Sequence, residues 1–163
     1  MVDSSGSHQR RYPSEVLLYS KVEEEDLEDL CLDKPTLLHF SEEMIQLFFC
    51  FTSVFQSLHH WPPPGSDSET LAFAQDYQAH RIEHNGCAFY ESGLTREDLH
   101  RIDSGLAKTR CLRFFFWIDD KNDKVWILRV RWTRTNKAPR YEYKRVARRL
   151  HALKSGNHDL RTD

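Results

Sequence analysis

Cys111-Leu-Arg-Phe-Phe-Phe-Trp-Ile-Asp-Asp-Lys-Asn-Asp-Lys-Val-Trp-Ile-Leu-Arg-Val-Arg-Trp132 is the stretch whose reading decides the fold. Two aromatic-rich runs flank the polar tetrapeptide Asp120-Lys121-Asn122-Asp123. Asn tolerates a left-handed backbone, so Lys121-Asn122 suits the centre of a tight hairpin loop. That register pairs Asp119 with Lys124, Ile118 with Val125, Phe114 with Arg129 and Leu112 with Arg131. Strand side chains alternate between faces. One face then carries Leu112, Phe114, Phe116, Ile118, Val125 and Ile127, ending in Arg129 and Arg131. The other carries Arg113, Phe115, Trp117, Trp126, Leu128, Val130 and Trp132. Both faces are apolar near the turn, which predicts that both are covered. Both become cationic away from it, which predicts a basic end open to solvent.

Downstream, Thr133-Arg-Thr-Asn-Lys-Ala-Pro-Arg140 is a basic loop, and Pro139 suits a helix start. Tyr143, Val146, Ala147, Leu150 and Leu153 then form one helical stripe. It predicts a helix packed on the sheet, with Arg140, Lys144, Arg145, Arg148 and Arg149 exposed. Upstream, Glu23–Leu32 reads as a solvated acidic helix. Ser41 reads as the N-cap of an apolar helix running to Leu58, with Glu42 and Glu43 in its first turn. His59-His60-Trp61-Pro62-Pro63-Pro64 breaks that helix. Ser68 reads as the cap of a helix to about Glu83, and Asn85-Gly86 as a turn. Val16–Tyr19 is a strand or a first helical turn, Cys87–Tyr90 a strand, and Thr95–His100 a capped helix. The architecture is α+β: a small antiparallel sheet around a central hairpin with packed helices, and a helical acidic N-terminal part. The organisation reads as a disordered lead-in at 1–13, a helical region at 14–65, an α+β region at 66–154 and a flexible tail at 155–163. One compact domain over 14–154 is the alternative.

The chain has 163 residues and a formal net charge of −2, which hides an asymmetry. Residues 1–100 hold 6 Lys/Arg against 18 Asp/Glu, and residues 101–163 hold 17 against 7. One reading is two oppositely charged faces attracting each other within one fold. The other is a C-terminal part that faces a polyanion and an acidic part that shields it or meets another partner, and both can hold together. No apolar run approaches the ~20 residues that cross a bilayer. No signal peptide is read at the N-terminus. The four scattered cysteines read as reduced core residues. A cytoplasmic protein with no membrane partner is expected.

The segment 103–153 resembles the C-terminal half of RelE/HigB-type toxins, ribosome-associated mRNA endonucleases of toxin–antitoxin pairs. The likeness is carried by Gly105-Leu106-Ala107-Lys108-Thr109-Arg110, by Arg113-Phe114-Phe115-Phe116-Trp117-Ile118-Asp119, and by Thr133-Arg134-Thr135-Asn136-Lys137-Ala138-Pro139. It implies a RelE-like sheet and a metal-independent reaction, without cofactor, in which the RNA 2′-hydroxyl attacks its own phosphate. Arg113, Arg134 and Lys137 would grip that phosphate, with Arg131 beside them and Tyr143 or His151 as proton donor. Arg110, Trp132, Arg140, Lys144 and Arg148 would contact RNA. The ribosome and a neutralising antitoxin or other acidic protein would be partners. The competing reading is a non-catalytic regulator or inhibitor that binds nucleic acid or protein through the same basic surface. A remote third reading is zinc held by His80 and His84, because His80-Arg-Ile-Glu-His84 matches an inverted zincin pattern on a helix.

Overall fold

A computed structural model describes residues 13–51, 62, 65–105, 110–134 and 141–156. Five strands form one sheet: β1 (Glu15–Leu18), β2 (His80–His84), β3 (Cys87–Leu94), β4 (Cys111–Asp119) and β5 (Lys124–Thr133). Their order is β1-β5-β4-β3-β2. The sheet is mixed rather than purely antiparallel, because β1 lies parallel to β5. The helical segments are α1 (Val22–Asp26, π-helical), α2 (Leu27–Leu30), α3 (Lys34–Cys50), α4 (Ser68–Asp76), α5 (Arg96–Ile102) and α6 (Tyr141–Lys154). No helix among the described residues is long and apolar enough to cross a membrane.

The 111–132 hairpin is the centre of the sheet, and both of its faces are covered. Phe48 of α3 meets Phe116 edge-on at 5.1 Å and Tyr90 at 5.6 Å. On the opposite face, Tyr143 of α6 packs edge-on against Phe115 at 6.1 Å and Phe89 at 6.2 Å. One apolar core joins α3, the strands and α6. Fully burying each large apolar side chain contributes roughly 1.5–3 kcal/mol.

Next to the turn the register is the expected one, with Asp119 opposite Lys124 and Ile118 opposite Val125, but the left-handed residue is Asp123, at φ 57°, rather than Asn122. A β-bulge then intervenes. Phe116 faces Ile127 but Phe115 faces Arg129, so Leu128 is the extra residue. Beyond it, Phe114 pairs with Val130 and Leu112 with Trp132, not with Arg129 and Arg131. One inserted residue moves every later side chain to the other face. Arg113, Arg129 and Arg131 therefore share the face of Phe115 and Tyr143. Tertiary contacts hold the bulge. Strand β1 pairs with β5 only as far as Ile127. Past that point the backbone finds side chains: Val130 N donates to Asp26 Oδ2 at 3.1 Å, and Leu128 O accepts from Arg149 Nη1 at 2.8 Å.

Several local readings shift. The cap of α3 is Asp33, whose side chain accepts from Thr36 N at 2.8 Å, and Pro35 occupies its first turn. Ser41 is inside that helix and donates to Leu37 O at 2.7 Å. Asp67, not Ser68, caps α4, and α4 stops at Asp76. The next residues, His80–His84, are strand, because Asn85 and Gly86 at positive φ turn them back onto β3. Thr95 and Asp98 form the reciprocal capping box expected of α5. Cys31 and Cys50 are exposed rather than in the core, while Cys111 is buried; none of the four cysteines is in a disulfide. The apolar stripe beyond Phe51, the His59-His60-Trp61 step and residues 1–12 lie outside the described residues.

Candidate nucleic-acid interface

Arg113 does not reach the surface. Its side chain is fully buried, and its Nη2 sits 2.8 Å from Glu91. Its two terminal nitrogens also donate to the carbonyls of Tyr77 at 2.6 Å and Gln78 at 3.0 Å. Gly93, opposite Arg113 on β3, makes the room. A Cβ there would stand 2.6 Å from Leu112 O and 3.2 Å from the Arg113 side chain. Burial pulls the Arg113 pKa down, and the Glu91 carboxylate only partly offsets it. Burial alone would raise Glu91, but the hydrogen bond from His80 and the Arg113 charge hold its carboxyl below the ordinary value. His80 Nε2 is 3.1 Å from Glu91, and Tyr143 Oη donates to it at 3.2 Å. The residues expected as phosphate clamp and proton donor, Arg113 and Tyr143, thus meet at an internal carboxylate.

A second buried cluster takes Arg129 and Arg149. Asp26, fully buried, receives Arg129 Nη1 at 2.5 Å and Arg149 Nη1 at 2.9 Å. Glu142, also buried, receives Arg129 Nε at 3.0 Å. The segment read as a solvated acidic helix thus inserts one carboxylate into the interior. It draws Arg149, expected on the outside of α6, in with it. A buried guanidinium requires such a partner, since an unpaired buried charge is far costlier than the pair.

The other cations converge at the open end of the hairpin. Arg110, Arg131, Trp132, Tyr141 and Arg145 line an open groove of about 440 Å³, with Asp29 and Leu30 on one bank. Arg110 lies over the Trp132 ring at 4.7 Å, and Trp132 Nε1 donates to Leu30 O at 3.0 Å. Arg131 is half-buried: it contacts Glu142 closely and donates to Tyr141 Oη at 2.9 Å. That hydrogen bond, and next the Arg131 charge, hold the Tyr141 phenol below its ordinary value of 10.0. Four arginines, counting Arg129 in the floor, face two carboxylates, Asp29 and Glu142. The lining offers charge for phosphates and an accessible aromatic ring for bases, the combination that holds single-stranded nucleic acid.

Of the residues singled out in sequence, the groove joins Arg110, Arg131 and Trp132. Arg134 is exposed at the end of β5, and Lys144 and Arg148 are exposed on α6. Lys137 and Arg140 lie outside the described residues. Sequence reasoning did not place Tyr141 or Arg145 at the site. Both carry a signal in retrospect, since they stand four apart in the first turns of α6 and therefore on one face.

The zinc reading fails on secondary structure. His80 and His84 are on β2, and four residues of strand separate them by about 13 Å, too far to share an ion. Among the described residues no three metal-ligating side chains cluster. Comparison with known family models, characterised proteins and solved structures finds no match to this chain.

Proposed function

We propose that this chain binds single-stranded RNA in the groove of Arg110, Arg131, Trp132, Tyr141 and Arg145. The observation that carries the reading is the Arg110–Trp132 stack beside the Arg131–Tyr141 pair. Two cations and two aromatic rings alternate within one open groove. Exposed phosphates meet the guanidinium groups, and unpaired bases stack on the rings. Non-catalytic binding is sufficient for a regulator or inhibitor. An acidic protein partner that fills the groove would switch it off.

The test is equilibrium binding of a fluorescent single-stranded RNA across a salt series. Each phosphate contact contributes a slope of about −0.7 in log K against log salt for a single strand. Arg110→Ala and Arg145→Ala should each weaken binding and flatten the slope by about that amount. Affinity unchanged in both variants sinks the proposal.

Cleavage of the bound strand is a second reading, favoured by the Tyr141 hydroxyl. It is exposed, borders the groove and has its acidity raised by Arg131. In a RelE/HigB-like reaction on ribosome-bound mRNA, the Tyr141 phenolate takes the proton of a 2′-hydroxyl. The freed oxygen attacks the adjacent phosphorus and forms a new P–O2′ bond. The P–O5′ bond breaks, and the 5′-oxygen takes a proton from water. Products are a 2′,3′-cyclic phosphate and a 5′-hydroxyl. Arg131 and Arg145 oppose the charge that builds on the phosphorane. Arg113 plays no part in this version. Wild-type protein should cut mRNA on ribosomes, and Tyr141→Phe should bind without cutting. Intact mRNA with wild type discards cleavage and leaves binding standing.

A further inference from the structure

A second aromatic–cation station lies at the far end of α6. Lys154 Nζ sits over the Trp117 ring at 5.2 Å. Trp117, Trp126 and Lys154, with Asp119 to Asn122 of the hairpin turn, line an open cavity of about 590 Å³. At the opposite end, Arg110 sits over Trp132 in the groove already described. The two stations are joined by the outer face of α6. Lys144, Arg145, Arg148 and His151 are exposed there. Arg145 lines the groove and, with Arg148, Arg149, Tyr19, Lys21 and one carboxylate, Glu25, a further cleft of about 320 Å³.

This face is charged in an unusual way. The only acid in α6 is Glu142, and it is buried under Arg129 and Arg131. Exposed basic helices ordinarily gain support from acids three or four residues away. Here Lys144, Arg145, Arg148 and Lys154 make no ion pair among the described residues. Of the exposed acids of the neighbouring segment, Glu23 pairs with Lys34, Glu24 with Lys21, and Glu25 with Lys21 and Arg149, while Asp29 stands on the bank of the groove.

We infer that one RNA single strand lies along the outer face of α6, with bases seated at both Trp132 and Trp117 and its phosphates on the cations between. This rests on the RNA-binding reading above and extends it from one groove to a continuous track. The 14 residues of α6 span about 20 Å. At ~3.4 Å per nucleotide, the rise of a strand stacked as in a duplex, the track accommodates on the order of six nucleotides. Stacking at each end favours single strands over duplexes, whose bases are not free to leave their neighbours. At both seats a cation lies against a partly exposed ring, and a base joins or displaces that cation.

The test compares 2′-O-methyl oligoadenylates of three and ten nucleotides, which cannot be cut by 2′-hydroxyl attack. Binding is read by fluorescence anisotropy on the full chain. Wild type should bind the decamer at least tenfold more tightly than the trimer. Lys154→Gln and Arg148→Gln, both at exposed positions, should reduce that advantage several-fold and leave trimer affinity within twofold. Trp117→Ala should do the same, with its fold checked by circular dichroism. A trimer that binds as tightly as the decamer, or an advantage that survives all three substitutions, overturns the track while the groove stands. No binding of either oligonucleotide overturns both. Binding to vesicles of anionic phospholipid but not to the decamer also overturns the track and assigns the face to a membrane surface.

Discussion

Replacing Asp26 with alanine removes one carboxylate from the interior and leaves two guanidinium groups without their shared partner. Asp26 accepts Arg129 Nη1 at 2.5 Å, Arg149 Nη1 at 2.9 Å, Arg149 Nη2 at 3.2 Å and Val130 N at 3.1 Å. Arg129 keeps Glu142, whereas Arg149 keeps only Glu25, which is half exposed, and the Leu128 carbonyl. Removing one member of a buried ion pair costs about 3–5 kcal/mol, because the remaining charge is still in a poor solvent. The bulge at Leu128 loses its anchor in the same step. For a chain of this size, each kcal/mol moves the melting temperature by roughly 2–4 °C. Asp26→Ala should therefore lower it by on the order of 10 °C. Urea melts followed by tryptophan fluorescence give the free energy directly. Pairing the change with Arg149→Met closes a double-mutant cycle in which the second substitution recovers part of the loss. Glu25→Ala, which removes a half-exposed carboxylate and leaves Arg149 on Asp26, should cost no more than about 1 kcal/mol. A loss below about 1 kcal/mol for Asp26→Ala would refute the reasoning, and so would strict additivity with Arg149→Met.

Gly93→Ala should destabilise by about 1–3 kcal/mol, since its Cβ meets backbone at Leu112 O and leaves Arg113 no room; the same urea melts measure it. Glu91 makes stability depend on pH. Its folded pKa lies below the 4.5 of the free side chain, so its contribution is complete above that value and disappears as pH falls through the folded pKa. Melts between pH 6 and pH 3 should accordingly show a shallower fall for Glu91→Gln than for wild type. Thr95→Ala removes the cap of α5 and should cost about 1 kcal/mol, seen as an earlier urea midpoint. Ionisation of Tyr77, pushed up to about 12 by burial and next by the Asp98 charge, should be missing from an absorbance titration that stops at pH 11.

Local chemistry was legible without coordinates wherever neighbouring residues settle the outcome. The Asp120–Asp123 turn, the Asn85-Gly86 turn and the Thr95–Asp98 capping box depend on groups within a few residues of each other. The central place of 111–132 followed from aromatic residues on both faces, since such a strand must be covered twice. The apolar stripe of α6 followed from its period. Where competing local signals existed, the wrong one was chosen: Ser41 and Ser68 look like caps, but Asp33 and Asp67 hold those positions.

The sequence by itself determined an α+β chain built on an aromatic hairpin, with acid gathered in the first part and base in the last. It did not determine which cations face solvent. That was decided by Asp26 and Glu91, carboxylates that meet their arginines across up to 123 residues of chain. It was decided also by the one-residue bulge at Leu128, which turned Arg129 and Arg131 to the face of Arg113. A bulge depends on partners outside its own strand, and a buried charge requires a counter-charge from wherever the fold can supply one. Arg113, Arg129 and Arg149 therefore became interior ion pairs, while Arg110, Arg131 and Arg145 were left to line the groove.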